Sequence, residues 1–193
     1  MNQSFAVWLL IGLSLVTANL PFLVERPFLA LPWQQKGEPP RPAWSRWLSF
    51  VAFFAVLVGL GYAAMFLIGQ GLFTAADAAS VVRFLAILIG LALAAAVVLA
   101  YPGWRNPGNT VQKSVFVRLL EVLVFYGLVG VLAFALEASL GNRFPQGWEF
   151  YAITLSLFLV LGYPGFVWRY LMKRRRANAA RAGARPSPVT HDA

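Results

Sequence analysis

The stretch NRFPQGWEFYAITLSLFLVLGYPGFVWRY, from Asn142 to Tyr170, decides the fold class of this chain. Its opening is polar and edged with aromatic residues, its middle is almost entirely apolar, and it leads into arginine. An α-helix needs about 20 residues to cross the hydrocarbon core of a bilayer, and tryptophan favours the membrane–water boundary. The stretch therefore predicts a membrane-spanning helix from Trp148 to Trp168.

The composition of the whole chain indicates the same class. Of the 193 residues, 60% are apolar and 12% are charged, whereas about a quarter of the residues of a soluble domain are charged. Five apolar runs are long enough to span a bilayer, so we predict an all-α polytopic integral membrane protein. The predicted helices run over residues 5–24, 47–68, 81–100, 115–136 and 148–168. They form one transmembrane domain, residues 1–176, and the polar segment 177–193 is predicted to be a disordered basic cytoplasmic tail.

The distribution of Lys and Arg predicts the orientation of the helices. Fourteen of the sixteen lie in the segments that follow helices 1, 3 and 5 or in the first turn of helix 4, and only Arg83 and Arg143 lie on the other side. Because cytoplasmic segments carry an excess of Lys and Arg, we expect the N-terminus outside and the C-terminus in the cytoplasm. The net charge of +9 is then an orientation signal, and no nucleic-acid partner is predicted.

Few side chains of this chain could support catalysis. It has no cysteine, and its single histidine, His191, lies close to the C-terminal end. There is no nucleophile beside a base, no set of metal ligands and no glycine-rich phosphate loop. We therefore predict no catalytic, cofactor-binding or metal-binding residues, no cofactor and no enzymatic activity.

Two prolines are expected to interrupt helices near their cytoplasmic ends. Pro21 removes a backbone donor and frees the carbonyl of Thr17, which predicts a kink in helix 1. Pro164, within Tyr-Pro-Gly, is predicted to break helix 5 about one turn before Arg169.

Polar side chains on three helices lie at the same depth as these prolines. Asn19, Glu121 and Tyr163 are each about 9 Å from the cytoplasmic end of their helix, at 1.5 Å per residue. A carboxylate at that depth is costly unless it is paired, hydrogen-bonded or neutral. Two arrangements remain open. Glu121 pairs with Arg118, three residues before it, or it joins Asn19 and Tyr163 in one interhelical polar cluster.

Two further features indicate contacts between helices. On the outer side, Arg143 is placed to form an ion pair with Glu137 or with Glu149. Helix 3 carries a face of small residues that permits close helix contact, and packing inside the bundle is favoured over a homodimer. That face consists of Gly90, Ala92, Ala94, Ala95 and Ala96.

Three segments of the chain resemble a single bacterial membrane family. They are VWLLIGLSLVTANLPFLVER (7–26), RLLEVLVFYGLVG (118–130) and PQGWEFYAITLSLFLVLGYPGFVWRYL (145–171). They are similar to the family known only as domain of unknown function family 2818. Typical members are shorter, so the resemblance implies a three-helix core in which residues 37–114 form an inserted hairpin. Val24 departs from the family, which tends to have Asn there, so no role is carried over to that side chain.

The origin of the hairpin and the function of the protein are separate expectations. The Tyr-Pro-Gly helix exits near residues 101 and 163 leave open whether the hairpin duplicates the C-terminal one. Family genes tend to lie beside those of the respiratory NADH:quinone oxidoreductase, which implies an accessory or assembly factor of a membrane complex in the bacterial inner membrane. The alternative is a small transporter or channel element. Expected partners are the lipid bilayer, subunits of a respiratory complex, or a second copy of the chain.

Overall fold

A computed structural model of the protein describes residues 3–69, 78–105, 111–141 and 145–172. Arg143 and the predicted tail 177–193 lie outside these residues. The described residues form helices joined by irregular segments, with one isolated β-bridge between Lys36 and Gln112. Its helices are α1 (Gln3–Leu23), α2 (Ala43–Leu67), α3 (Ala78–Trp104), α4 (Val115–Ser139), α5 (Trp148–Leu161) and α6 (Tyr163–Val167), followed by a π-helical turn (Trp168–Met172).

The five predicted apolar helices are confirmed. Within the described residues, five helical runs are long and apolar enough to cross a membrane: 6–23, 43–67, 79–104, 115–139 and 148–172. These runs suggest a multi-pass membrane protein. The outer surface agrees, because large apolar side chains such as Trp8, Val58 and Tyr62 are at least 70% exposed. In water such exposure would be unfavourable, whereas lipid tails accept it without cost.

Several helices extend beyond the ends that the sequence predicts. α2 begins at Ala43 rather than at residue 47, α3 continues to Trp104 rather than ending at residue 100, and α4 continues to Ser139 rather than ending at residue 136. α3 contains Pro102 in its last turn. A proline near a helix end removes only one late backbone hydrogen bond, so the helix continues through it.

Helix α4 is the centre of the bundle. It contacts α1, α2 and α5, while α1 also contacts α5 and α6. The larger apolar core includes Phe22 of α1, Leu57 of α2, Phe125 of α4 and Phe158 of α5. α4 can fill this position because it buries side chains at helical spacing along its length, including two charged residues in its first two turns.

Most of the Lys and Arg residues that the structure describes lie at one end of the bundle, where α1 and α3 end and α2 and α4 begin, which we call the basic end. The segment between α1 and α2, residues 24–42, covers this end. Its Leu29 is 2% exposed, and Leu31 is also buried. The backbone N–H of Gln112 donates to the carbonyl of Lys36 at 2.9 Å, so the segment before α4 is held against the segment before α2. This loop therefore forms part of the packed structure and sets the surroundings of the first turns of α4.

The two prolines act differently from each other. Pro21 lies inside α1, and the helix ends two residues later at Leu23, so the structure has a helix end rather than a break at Pro21. Near Pro164 the helix does break, because Gly162 separates α5 from α6 and Pro164 lies in the first turn of α6. Proline suits that position because its missing N–H would have no helical partner there.

The small-residue face of α3 does not form the close helix contact expected of it. A Cβ added to Gly90 would have no atom within 4 Å, and Ala92, Ala95 and Ala96 line an apolar cavity of about 330 Å³ between α1, α2, α3 and α4. α3 makes its inward contacts through larger residues on either side of this face, such as Phe84 and Leu99. The small side chains between them border open space.

Candidate functional site

The carboxylate of Glu121 is the centre of a buried polar site at the basic end of the bundle. Glu121 is fully buried on the second turn of α4. Its Oε2 lies 2.7 Å from Nζ of Lys113, and both side chains are completely covered. Its Oε1 accepts a hydrogen bond of 2.8 Å from the backbone N–H of Phe28. Both carboxylate oxygens are therefore engaged, which is the condition for burying a charge at acceptable cost.

Lys113 is held by the same site from the segment just before α4. Its Nζ lies 4.5 Å from the centre of the Phe28 ring, which adds a cation–π contact to the ion pair. Burial lowers the pKa of the Lys113 ammonium from 10.5 to about 8, although the Glu121 carboxylate opposes that shift. The 2.7 Å contact with the Glu121 carboxylate and the Phe28 ring both favour the protonated amine.

Arg118 has a different partner from the one that its spacing suggests. Its Nη1 donates to the carbonyl of Pro21 at 2.6 Å, and the residue is 1% exposed. That carbonyl belongs to the last turn of α1, where backbone acceptors lack helical partners and a cation is favoured by the helix dipole. Arg118 thus caps α1, and Lys113 takes the carboxylate of Glu121.

The side-chain amide of Asn19 bridges the break between α5 and α6. Its Oδ1 accepts from the N–H of Gly165 at 2.7 Å, and its Nδ2 donates to the carbonyl of Leu161 at 2.8 Å. In a continuous helix that N–H and that carbonyl would bond to each other. The amide replaces this one backbone hydrogen bond by two, and so joins α1 to the broken helix.

Glycine makes this close approach possible. A Cβ on Gly165 would lie 2.9 Å from Oδ1 of Asn19, and one on Gly162 would lie 3.0 Å from the carbonyl oxygen of Ala18. Any larger residue would therefore push α6 away from α1. The backbone of α6 reaches the amide because both positions lack a side chain.

The structure does not bring Asn19, Glu121 and Tyr163 into one cluster among the described residues. Asn19 bonds to the α5–α6 break, and Glu121 bonds to Lys113 and to the loop after α1. Tyr163 is 61% exposed, and its ring stacks on Phe166 at 6.4 Å. Equal depth along three helix axes places side chains at one level, but the direction in which each one points depends on the rotation of its helix.

Lys113 belongs to the site although it was not predicted from the sequence. It precedes the N-cap of α4, Ser114, whose Oγ accepts from the N–H of Val117 at 3.2 Å. A cation eight residues before a buried carboxylate lies outside the i, i+3 and i, i+4 spacings that mark helical pairs. Ser114 was the available signal, because a serine cap fixes where α4 starts and so how near the preceding lysine lies.

The predicted outer-face ion pairs involve Arg143, which lies outside the described residues. Glu149 is in the first turn of α5, where a negative charge opposes the positive end of the helix. A half-exposed ion pair does occur at the opposite end, between Arg169 and Glu25 at 2.8 Å. It connects the π-helical turn to the loop after α1, and an exposed pair of this kind stabilises only weakly.

Taken together, the polar side chains of the site hold α1, α4, α6 and the loop after α1 to one another. The amine of Lys113 and the carboxylate of Glu121 are fully covered, so both groups contact other parts of the protein rather than its surroundings. Among the described residues, no group of three or more His, Cys, Asp or Glu side chains could hold a metal ion. The geometry of the site is that of a structural contact between helices.

Comparison with known sequences agrees with the family resemblance. The model of the family described as "Protein of unknown function (DUF2818)" matches residues 6–105 and residues 86–173, and the two matches overlap within α3. No curated protein and no solved structure matches the chain. The matches cover all five apolar helices, from the first turns of α1 to the π-helical turn, and the chain belongs to the DUF2818 family.

Proposed function

We propose that the protein spans the bacterial inner membrane five times, with its N-terminus outside and its C-terminus in the cytoplasm. The asymmetry of Lys and Arg supports this orientation. The positions of exposed tryptophans support insertion, since Trp44 and Trp104 lie at the basic end of the bundle and Trp148 at the other. Tryptophan at both ends of apolar helices is typical of the two headgroup regions.

Within that membrane the protein acts as a small accessory or assembly factor of a larger complex. The observation that carries this proposal is the use of the buried charged groups, since Lys113, Arg118 and Glu121 bond to one another or to backbone of α1 and its loop. Charges used this way stabilise a scaffold, and they leave an apolar outer surface for contact with lipid or with other helices. The gene neighbourhood of the family makes NADH:quinone oxidoreductase the first complex to test.

Deletion of the gene in the organism that encodes it tests this role. We expect less assembled NADH:quinone oxidoreductase on native gels, and a matching fall in NADH-driven quinone reduction by membranes, both restored by the wild-type gene. The tagged protein, purified in mild detergent, should carry subunits of the membrane part of that enzyme. Normal amounts of assembled enzyme, with none of its subunits bound to the tagged protein, would reject the partner.

One observation favours the second candidate, a small transporter or channel element. The apolar cavity of about 330 Å³ is bordered by Phe28, whose N–H binds the Glu121 carboxylate. Its lining is otherwise apolar except for Thr17, whose hydroxyl donates to the carbonyl of Leu13 at 2.7 Å. Transport sites usually expose several polar groups near the midplane, and this lining has few, so transport stays the second candidate.

The inserted hairpin is also part of the proposal. Lys36 and Gln112, at the two ends of residues 37–111, are paired across the isolated β-bridge. A hairpin inserted into an existing fold must begin and end at nearly the same place, and Lys36 and Gln112 lie next to each other. Because Lys113 belongs to the Glu121 site, the added segment is better drawn as residues 37–111 than as 37–114.

A further inference from the structure

A groove between α2 and α3 opens to the outside near the basic end of the bundle. It has a volume of about 400 Å³, within the range of small-molecule sites. Apolar side chains form its walls, several of them more than half exposed, so the groove opens sideways toward the surroundings of the bundle. The wall residues are Leu48, Ala52 and Val56 on α2 and Val97, Val98 and Tyr101 on α3.

The basic end of the groove is polar and merges with a second pocket. Ser49, Tyr101 and Arg105 line both spaces. Nη1 of Arg105 donates to Oγ of Ser49 at 3.2 Å, which holds the guanidinium across the groove mouth. The second pocket adds Arg46 and, further along, Arg41 and Glu38, so its lining includes three arginines and one carboxylate.

Two buried polar atoms in the second pocket have no partner among the described residues. They are Nε of Arg46 and Oε1 of Gln35. A buried donor or acceptor left unsatisfied costs about 1–3 kcal/mol, so these two atoms favour a polar occupant of the pocket, such as a headgroup oxygen or water. The Glu38 carboxylate instead accepts from the backbone N–H of Gln35 at 3.3 Å, and so it is turned toward the loop.

We propose that this combined site binds one anionic phospholipid, with an acyl chain in the α2–α3 groove and the phosphate at the mouth between Arg46, Ser49 and Arg105. The pocket beyond the mouth is about 40 Å³, which admits headgroup oxygens and water rather than a whole phosphate. A hydroxyl on the headgroup would satisfy Gln35. The inference rests on the proposed membrane insertion and is independent of the accessory role.

The charge of the site makes a lipid the fitting occupant. Basic pockets at the cytoplasmic headgroup level bind anionic headgroups, at about 1 kcal/mol for each Lys or Arg near the surface. The apolar groove adds a requirement that a free anion does not meet. An occupant must therefore carry a negative headgroup and a long apolar chain in one molecule, and a phospholipid does.

Native mass spectrometry of the full-length protein in detergent tests the headgroup. After stripping and addition of either lipid, the wild type should retain one phosphatidylglycerol and far less phosphatidylcholine. The exposed Arg105 gives the safest variant, and R105Q should lower phosphatidylglycerol retention about fivefold, with R46Q similar. R26Q, at the same end but outside the pocket, and R83Q, at the other end of α3, should change nothing. Equal retention of the two lipids by the wild type, or equal loss in R26Q and R105Q, would overturn the proposal.

The groove that would hold the acyl chain has its own matched pair of variants. A52F fills the groove, and A55F places the same ring elsewhere on the exposed surface of α2. Phosphatidylglycerol should raise the melting temperature of the wild type and of A55F but not of A52F. Inorganic phosphate alone should have no effect in any of them. If phosphate reproduced the stabilisation, or if A52F retained it, the occupant would not be a phospholipid.

Discussion

Replacement of Glu121 by leucine should destabilise the protein strongly, because it leaves two partners unsatisfied. The Lys113 ammonium would be buried without its counter-ion, and the N–H of Phe28 would lose its acceptor. Breaking a buried ion pair from one side costs about 3–5 kcal/mol. Lys113→Met alone should cost a similar amount, since it leaves the carboxylate uncompensated.

The double variant, with Lys113→Met and Glu121→Leu together, separates burial of a lone charge from loss of the site. With both charges gone, only the Phe28 N–H remains unsatisfied, at about 1–3 kcal/mol. The double variant should therefore be more stable than either single variant. This non-additivity is expected of a pair in direct contact.

Thermal unfolding of the purified protein in detergent, followed by tryptophan fluorescence, measures all four proteins. A loss of about 3–5 kcal/mol corresponds to a fall of roughly 6–20 °C in melting temperature for a chain of this size. Glu137→Leu, at the far end of the same helix, serves as the control and should shift the transition little. If Glu121→Leu melted with the wild type, or if the two single effects simply added in the double variant, the ion pair would not stabilise the fold.

The other predictions concern the helix break, the role of charge, the orientation and the hairpin. Asn19→Leu should cost about 1–3 kcal/mol in the same assay, whereas Thr17→Val, which removes a hydroxyl bonded to its own helix, should cost less than about 1 kcal/mol. Glu121→Gln should lose stability, because an amide beside Lys113 leaves the ammonium uncompensated. A stable Gln variant with abolished function in cells would instead support proton or ion transport. A reporter active only outside the cytoplasm should work when fused after Gly71 and fail when fused at Gly37, and equal signals would reject the five-span topology. Direct fusion of Lys36 to Gln112, which deletes residues 37–111 but keeps Lys113, should leave a chain that inserts with its C-terminus still in the cytoplasm, and an outward-facing C-terminus would count against the insertion.

The number of helices, the regions they occupy and the break near Pro164 follow from local properties of the sequence. In lipid each backbone polar group needs a partner within its own segment, so a run of about 20 apolar residues becomes a helix whatever its neighbours are. Proline and glycine act through the backbone at their own position, and the break at Gly162 just before Pro164 is an effect of this kind. These features need no tertiary information.

The choice of partners was decided by tertiary structure. Glu121 and Arg118 share a helix face at a spacing that suggests a pair, yet the end of α1 lies against Arg118 and offers it a bare carbonyl at 2.6 Å. Asn19 meets Gly165 only because two glycines let α6 approach α1 closely. The sequence carries little sign of either contact, because helices that are apolar on every side have no polar stripe to mark which face turns inward. The rotation of each helix is then set by how its neighbours pack, and that rotation determines which charge meets which backbone group.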